Sequence, residues 1–223
     1  VGAATVNDAV AAWAALEDPW RRCLSLAWEA YGAGTIPVGA VLVNGDGRVV
    51  SEGRNRVYDM TAPTGQIANS MLAHAEVNAL VGLDTSGNYY DHVLYTTLEP
   101  CLLCVGASLR STIGSVRYAG ADPFGGADDG PVRRESKHGL RPLQLDGPRR
   151  DQFGLLAAAL PLAFYLQRGS GEHVLRASKL RAPGALAVAE ALVGFGVHHH
   201  AETASRLSDA LPEVWKLLRA PGG

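Results

Sequence analysis

Two strings, His74-Ala75-Glu76 and Pro100-Cys101-Leu102-Leu103-Cys104, decide how this chain is read. They offer one imidazole, two thiols and one carboxylate. Imidazole nitrogen and thiolate sulfur are the donors that suit Zn²⁺. A structural zinc is normally closed by four protein ligands, whereas a catalytic zinc keeps one position open for water. Three donors, His74, Cys101 and Cys104, beside a spare acid, Glu76, give the catalytic count.

The local pattern supports their convergence. Cys101 to Ser111 reads as a helix, which puts Cys101 and Cys104 on one face in its first turn, just after Pro100. Backbone N–H groups converge there, and the helix dipole favours thiolate. His74 opens a second helix, expected over Leu72 to Leu83, and reaches the same point across a shared seam. Glu76 lies two residues further on, so on a regular helix it points elsewhere and is left to move protons. Taken singly, His74 has a structural reading and the C-x-x-C pair a redox one. In this order and local setting the two strings together are far more specific for a metal.

Outward from these strings, helices and strands alternate. A helix-prone lead runs from Val6 to Leu16, and Asp18-Pro19 opens a helix in which Leu24, Ala27, Trp28 and Tyr31 recur at helical spacing. Pro37 to Val43 is a short, apolar, β-branched strand. Asn44-Gly45-Asp46-Gly47 is a turn signal, and Arg48 to Glu52 is the returning strand. Asn55 to Ser70 is a polar loop with room for one helical turn. Further strands are expected at His92 to Thr96, Ser115 to Ala119 and Pro142 to Leu145, then a helix from Arg150 to Gln167. An initial hairpin followed by this alternation implies an α/β fold, a mixed sheet covered by helices. Beyond Gly169 two more helices are expected, near Ala185 to Val193 and Glu202 to Leu218, with breaks at Pro183-Gly184 and Gly194 to Gly196. The expected organisation is one domain over 1–167, which carries both strings, and a C-terminal helical extension over 168–223.

Composition sets the bounds. With 223 residues, 47% apolar and 19% charged, the chain has the balance of a compact domain with an appended subdomain. No stretch approaches the roughly 18 apolar residues of a membrane span. Val1-Gly2-Ala3-Ala4 lacks the features of a signal peptide, so a cytoplasmic location is expected, and the missing initiator Met points either to trimming or to a start that is not the natural one. Three cysteines, two of them at metal-ligand spacing, argue against a disulfide framework, and Cys23 is expected to be a core residue. A net charge of −2 is unlike a general nucleic-acid binder. The segment with Arg133, Arg134, Lys137, Arg141, Arg149 and Arg150 has two readings, an ordinary solvated loop or a basic patch for RNA. His198-His199-His200 is expected to be exposed loop rather than a metal site.

The pairing of H-x-E with P-C-x-x-C is the signature of zinc deaminases that act on nucleobases. Pro37 to Val43, Gly53-Arg54-Asn55-Arg56, Ala73 to Leu80 and Tyr95 to Ala107 resemble the cytidine-deaminase-like superfamily, and within it the purine-acting branch of tRNA-specific adenosine deaminases and bacterial guanine deaminases. The resemblance covers Trp20 to Gln167. It implies a three-layer α/β/α sandwich around a five-stranded mixed sheet, usually as a homodimer. By position, His74, Cys101 and Cys104 look like the zinc ligands and Glu76 like the proton shuttle. Asn55 resembles the Asn that hydrogen-bonds the purine ring, since an amide offers both donor and acceptor; on its residues alone it is a turn position. The Cys101 N–H and the region of Ala75 are implied to help hold nucleophile and base. Asp122 lies where guanine deaminases carry a second acid, and Phe124 is placed to stack on a base; simple loop roles are the alternative. The loop from Met60 to Met71 is longer than in the tRNA enzymes. The tail beyond Arg168 has no counterpart in the resemblance. Its last helix mixes Glu202, Asp209 and Glu213 with Arg206, Lys216 and Arg219, so it reads as a packing helix or a lid rather than a basic arm.

The expected activity is hydrolytic deamination of a nucleobase, nucleoside or related small aminated heterocycle, with Zn²⁺ as cofactor and Glu76 carrying the protons. The alternatives are a tRNA-specific adenosine deaminase acting at the wobble position and a non-catalytic zinc-binding interaction module. Retention of Glu76 speaks against the last, because a structural zinc needs no extra carboxylate.

Overall fold

The computed structural model describes residues 6–127, 143–203 and 206–219. Helices α1 (Val6–Ala15) and α2 (Asp18–Gly32) lead into a hairpin of β1 (Gly39–Val43) and β2 (Val49–Arg54). Then follow α3 (Ala75–Leu80), β3 (Val93–Leu98), α4 (Leu102–Arg110), β4 (Ser115–Gly120), β5 (Gln144–Asp146) and α5 (Gln152–Arg168). The sheet order is β2-β1-β3-β4-β5. Strand β1 pairs antiparallel with both β2 and β3, whereas β3–β4 and β4–β5 are parallel, so the sheet is mixed. This is the order of elements the sequence predicts, although α3 is shorter than the helix expected over Leu72 to Leu83 and residues 55–74 carry no helical turn.

Strand alternation builds the layers, because successive side chains point to opposite faces. Val41, Val43, Tyr95 and Ala119 project to one face, where they meet Trp20 and Leu24 of α2 and Leu156 and Leu160 of α5. Cys23 lies in this same core. Ala40, Leu42, Leu94, Val116 and Tyr118 project to the other face, against Ala75, Ala79 and Leu80 of α3 and Val105 of α4. The result is a three-layer α/β/α sandwich around a five-stranded mixed sheet. Strand β1 is buried along its whole length, as a strand covered on both faces must be.

Beyond α5 lie α6 (Glu172–Arg181), α7 (Pro183–Phe195), α8 (Val197–Thr203) and α9 (Leu207–Leu218), four helices where the pattern predicts two. Helix α6 is polar and buries little beyond Val174 and Ser178, so its apolar periodicity is too weak to read. Pro183 does not break the chain. It opens α7 at the first helical position, where a missing N–H costs nothing. The histidine run is helix, not exposed loop: Gly196 in the left-handed region (φ 78°) ends α7, α8 starts at once, and the His198 ring packs 5.7 Å from that of Tyr31. Helices α7 and α9 bury Ala189, Leu192, Leu211, Val214 and Trp215 in the same core as α2 and α5. No described helix is long and apolar enough to cross a membrane. Of the basic segment, Arg133, Arg134, Lys137 and Arg141 lie outside the described residues.

Gly53 lets α3 sit directly on β2. A Cβ there would lie 2.5 Å from the Ala75 carbonyl oxygen and 2.6 Å from the Ala79 nitrogen, both backbone atoms with no freedom to yield. Gly53→Ala is therefore expected to push α3 off the sheet at a cost of about 1–3 kcal/mol. Circular-dichroism melting reads the loss as a lower Tm, and an unchanged Tm would show that the helix shifts without penalty.

Candidate active site

Two helix starts meet here. His74 is the N-cap of α3, in extended backbone (φ −70°, ψ 155°), and Cys101 is the N-cap of α4 (φ −76°, ψ 173°). Cys101 is thus not within the helix, as the sequence pattern has it. An isolated antiparallel bridge to Gly126 holds it extended, and the helix begins at Leu102 with Cys104 in its first turn. The sulfur of Cys101 lies 3.6 Å from that of Cys104 and 3.6 Å from Nδ1 of His74, and Cys104 Sγ lies 3.5 Å from the same nitrogen. Zn–S bonds of about 2.3 Å and Zn–N bonds of about 2.05 Å at tetrahedral angles imply edges of about 3.8 Å between sulfurs and about 3.6 Å between sulfur and nitrogen. The triangle therefore fits three corners of a zinc tetrahedron. Among the described residues it is the group whose metal-binding atoms come within 4.8 Å of one another.

Without metal the three donors share protons. The hydrogen bond from Cys104, aided by His74, pulls the Cys101 thiol down to about 4. That same bond, with burial, pushes Cys104 well above its ordinary value, and the Cys101 contact raises His74. Zinc must displace such protons to bind.

Glu76 stands beside the triangle without belonging to it. It is 4% exposed; Oε1 accepts a hydrogen bond from Thr96 Oγ1 at 2.9 Å, and Oε2 lies 3.3 Å from Cys104 Sγ. Burial raises its carboxyl above the ordinary range. Thr96 escapes the sequence reading, yet a signal exists: it is a hydroxyl in an apolar strand, on the face of Leu94 that looks toward α3. Asn78, also passed over, ties α3 to the loop before it. Its Nδ2 donates to the carbonyls of Arg54 and Ile67, and its Oδ1 accepts from the Ile67 N–H.

A cavity of about 320 Å³ opens at this point, lined by His74, Glu76, Cys101 and Asn55 with Val38, Val57 and Leu98. Asn55 is buried, and its Oδ1 accepts from Thr35 Oγ1 (2.9 Å) and from the Val57 N–H (3.0 Å). A backbone N–H only donates, so that atom is the amide oxygen. The expectation that Asn55 presents both donor and acceptor is corrected: the protein uses the acceptor, and the Nδ2 donor remains. Asp122 and Phe124 line the same cavity. Asp122 also shapes its loop, its Oδ1 accepting from the N–H groups of Phe124 (2.9 Å) and Gly125 (3.0 Å) while its own N–H donates to Glu99 Oε2 (3.0 Å). Ala75 is not among the lining residues; it packs in the core with Ala40 and Leu42.

The extension reaches the site from the same chain. His173 and Val174 of α6 and Ala185 of α7 line the cavity, with Ala158, Pro161, Leu162 and Tyr165 of α5. The His173 ring lies 4.7 Å from that of Phe124, and Arg181 donates to the Pro123 carbonyl at 3.1 Å. The covering helices are α6 and α7, not the last helix. Their wall residues belong to no motif, which is why the sequence alone passes over them.

Elemental analysis is expected to find one zinc per chain. His74→Ala and Cys104→Ala should each lose it, whereas Glu76→Gln should keep it, and loss of zinc from that variant would make Glu76 a ligand.

Residues 15–120 match the family described as the cytidine and deoxycytidylate deaminase zinc-binding region. The tRNA(Ile)-lysidine synthase of Deinococcus radiodurans is 39% identical over 131 residues, 56% of this chain and 21% of that protein. The guanine deaminase of Bacillus subtilis is 39% identical over 103 residues, 44% of this chain and 60% of that protein. The tRNA-specific adenosine deaminase of Rickettsia bellii is 30% identical over 117 residues, 51% of this chain and 75% of that protein. The chain thus spans less than two thirds of the first two relatives. The matched region contains the whole ligand triangle and Glu76, while α5 to α9 lie beyond it. With its three-donor zinc site, the buried acid beside it and this shared sequence, the chain belongs to the cytidine-deaminase-like superfamily.

Proposed function

We propose that this chain is a zinc-dependent hydrolytic deaminase of a small free heterocycle, a nucleobase or nucleoside. The observation that carries the proposal is the buried Glu76 carboxyl against, but outside, a three-donor zinc triangle that opens on a cavity. His74, Cys101 and Cys104 would hold the zinc, which when bound would supply an activated water at neutral pH. Glu76 takes up a proton from the attacking water and delivers it to the ring nitrogen next to the amine-bearing carbon, as the water oxygen bonds to that carbon. Glu76 then moves the proton of the new hydroxyl to the amine, the C–N bond breaks, ammonia departs and a ring carbonyl remains. A carboxyl raised by burial suits an acid that must both accept and return a proton. Thr96 fixes its orientation. The Asn55 Nδ2 donates to an acceptor on the ring, and the apolar walls of Val38, Val57, Leu98 and Leu162 keep water from its faces.

The wall contributed by α6 and α7 favours a free molecule over a base carried on RNA, since these helices close one side of the cavity. The net charge of −2 points the same way. Deamination of the wobble adenosine of a tRNA is the second reading, supported by identity to relatives that bear that name. The homodimer implied by the resemblance and the cytoplasmic setting expected from the sequence belong to this proposal.

Zinc-loaded protein is expected to release ammonia from at least one of cytidine, adenosine, guanosine and guanine. Glu76→Gln should lower that rate by about 10²–10⁴-fold, and a chelator should abolish it until zinc is restored. Inosine formed in a tRNA anticodon stem-loop, falling steeply with salt, would transfer the proposal to RNA. No turnover on either kind of substrate would overturn it.

A further inference from the structure

We infer that Tyr165 is a specificity-determining residue of this cavity: with Asp122 it selects substrates that carry a hydroxyl-bearing substituent, a nucleoside over its bare base. The inference rests on the deaminase reading of the same site and names the substrate feature that site recognises.

Ala158, Pro161, Leu162 and Tyr165 of α5 all line the cavity. Their spacing, i, i+3, i+4, i+7, makes one stripe of a helix, about 10 Å long at 1.5 Å per residue. One end of the stripe is anchored near the metal site. A Cβ on Gly120 would lie 2.5 Å from the Ala158 nitrogen, and the Gly120 carbonyl accepts from the N–H of Glu99, two residues before Cys101. Tyr165 stands at the other end. Three members of the stripe are apolar, as a wall meant for the face of a ring should be; the fourth ends in a hydroxyl.

That hydroxyl is held but not used. The Tyr165 ring lies edge-on to Phe164 at 5.6 Å, and Gly171 backs it so closely that a Cβ there would fall 2.6 Å from the ring. No hydrogen bond ties the hydroxyl to any other described residue. Burial raises the phenol above its ordinary value, with Tyr58 and Asp122 adding to the effect, so it stays protonated and is a donor. Asp122 lines the same cavity as Tyr165, and Tyr58 does not. Tyr58 is engaged elsewhere, stacked on Phe164 at 6.0 Å and beneath the Arg168 guanidinium at 4.3 Å. Asp122 commits Oδ1 to its own loop, and Oδ2 takes no part in those bonds.

The cavity therefore presents a donor on Tyr165 and an acceptor on Asp122. A hydroxyl satisfies both, because it accepts one hydrogen bond and donates another. A charged amine donates to Asp122 but accepts nothing from Tyr165. A bare base, oriented by its ring edge at Asn55 and the metal site, reaches neither group and gains neither hydrogen bond.

The test is calorimetric Kd measurement on the zinc-loaded protein, for guanosine, adenosine and cytidine each against its free base. The wild-type protein should prefer at least one nucleoside. Tyr165→Phe keeps the ring and removes the donor, and should cut the nucleoside-to-base affinity ratio by roughly 5- to 10-fold, the worth of one net hydrogen bond. Asp122→Asn keeps the amide oxygen that shapes the loop and should cut the ratio in the same way. The inference is overturned if the ratio is unchanged in both variants, if no nucleoside is preferred, or if none of the six compounds binds. Because the readout is binding, the two claims separate. A nucleoside preference that depends on Tyr165, without ammonia release, sinks the deaminase reading alone, and ammonia release with a ratio indifferent to both variants sinks this inference alone.

Discussion

The meeting of two helix starts over one face of the sheet is the constraint on which the rest depends. His74 and Cys101 are both N-caps, so each side chain leaves the backbone where the chain turns from extended to helical. Separations of 3.5 and 3.6 Å between donors require α3 and α4 to keep their positions on the sheet to within a fraction of an ångström. Gly53 sets the approach of α3 to β2, and Asn78 locks the same helix to the loop that delivers His74. Packing of these two helices on the sheet thus brings the three donors to tetrahedral spacing.

Around this centre the charges are arranged by burial. Glu76 is oriented by a neutral hydroxyl, Thr96, and burial raises its carboxyl above the ordinary range. A positively charged partner at the same place would hold it ionised and remove its ability to return a proton. The arrangement separates two duties that a carboxylate can perform near zinc, ligation and proton transfer, and the proposed function gives Glu76 the second.

Much of this was open to view in the sequence, for particular reasons. The strands alternate between two cores, so β1 to β4 show themselves by composition and by the turn at Asn44 to Gly47. The ligands show themselves because zinc demands specific atoms at specific spacings. What stayed hidden is held together by tertiary contact. Thr96 matters only because α3 lies over it. Tyr165 and His173 matter only because α5 and α6 happen to border the same cavity. Helix α6 has too little buried surface to leave a periodic trace, and Pro183 reads as an interruption until its place at a helix start is seen. The donor and acceptor of Asn55 look equivalent in a sequence, and a single backbone N–H from Val57 distinguishes them.

Helix α5 serves the molecule in two ways at once. Leu156 and Leu160 point into the central core, while Ala158, Pro161, Leu162 and Tyr165 form the chamber wall, so the same ten-residue run supports both. Ligand range and thermal robustness are consequently coupled in this chain. A change that widens the chamber along α5 also loosens the keel of the sandwich. The rim loop of Asp122 and Phe124 carries no such burden, so drift toward new substrates has its cheapest path there.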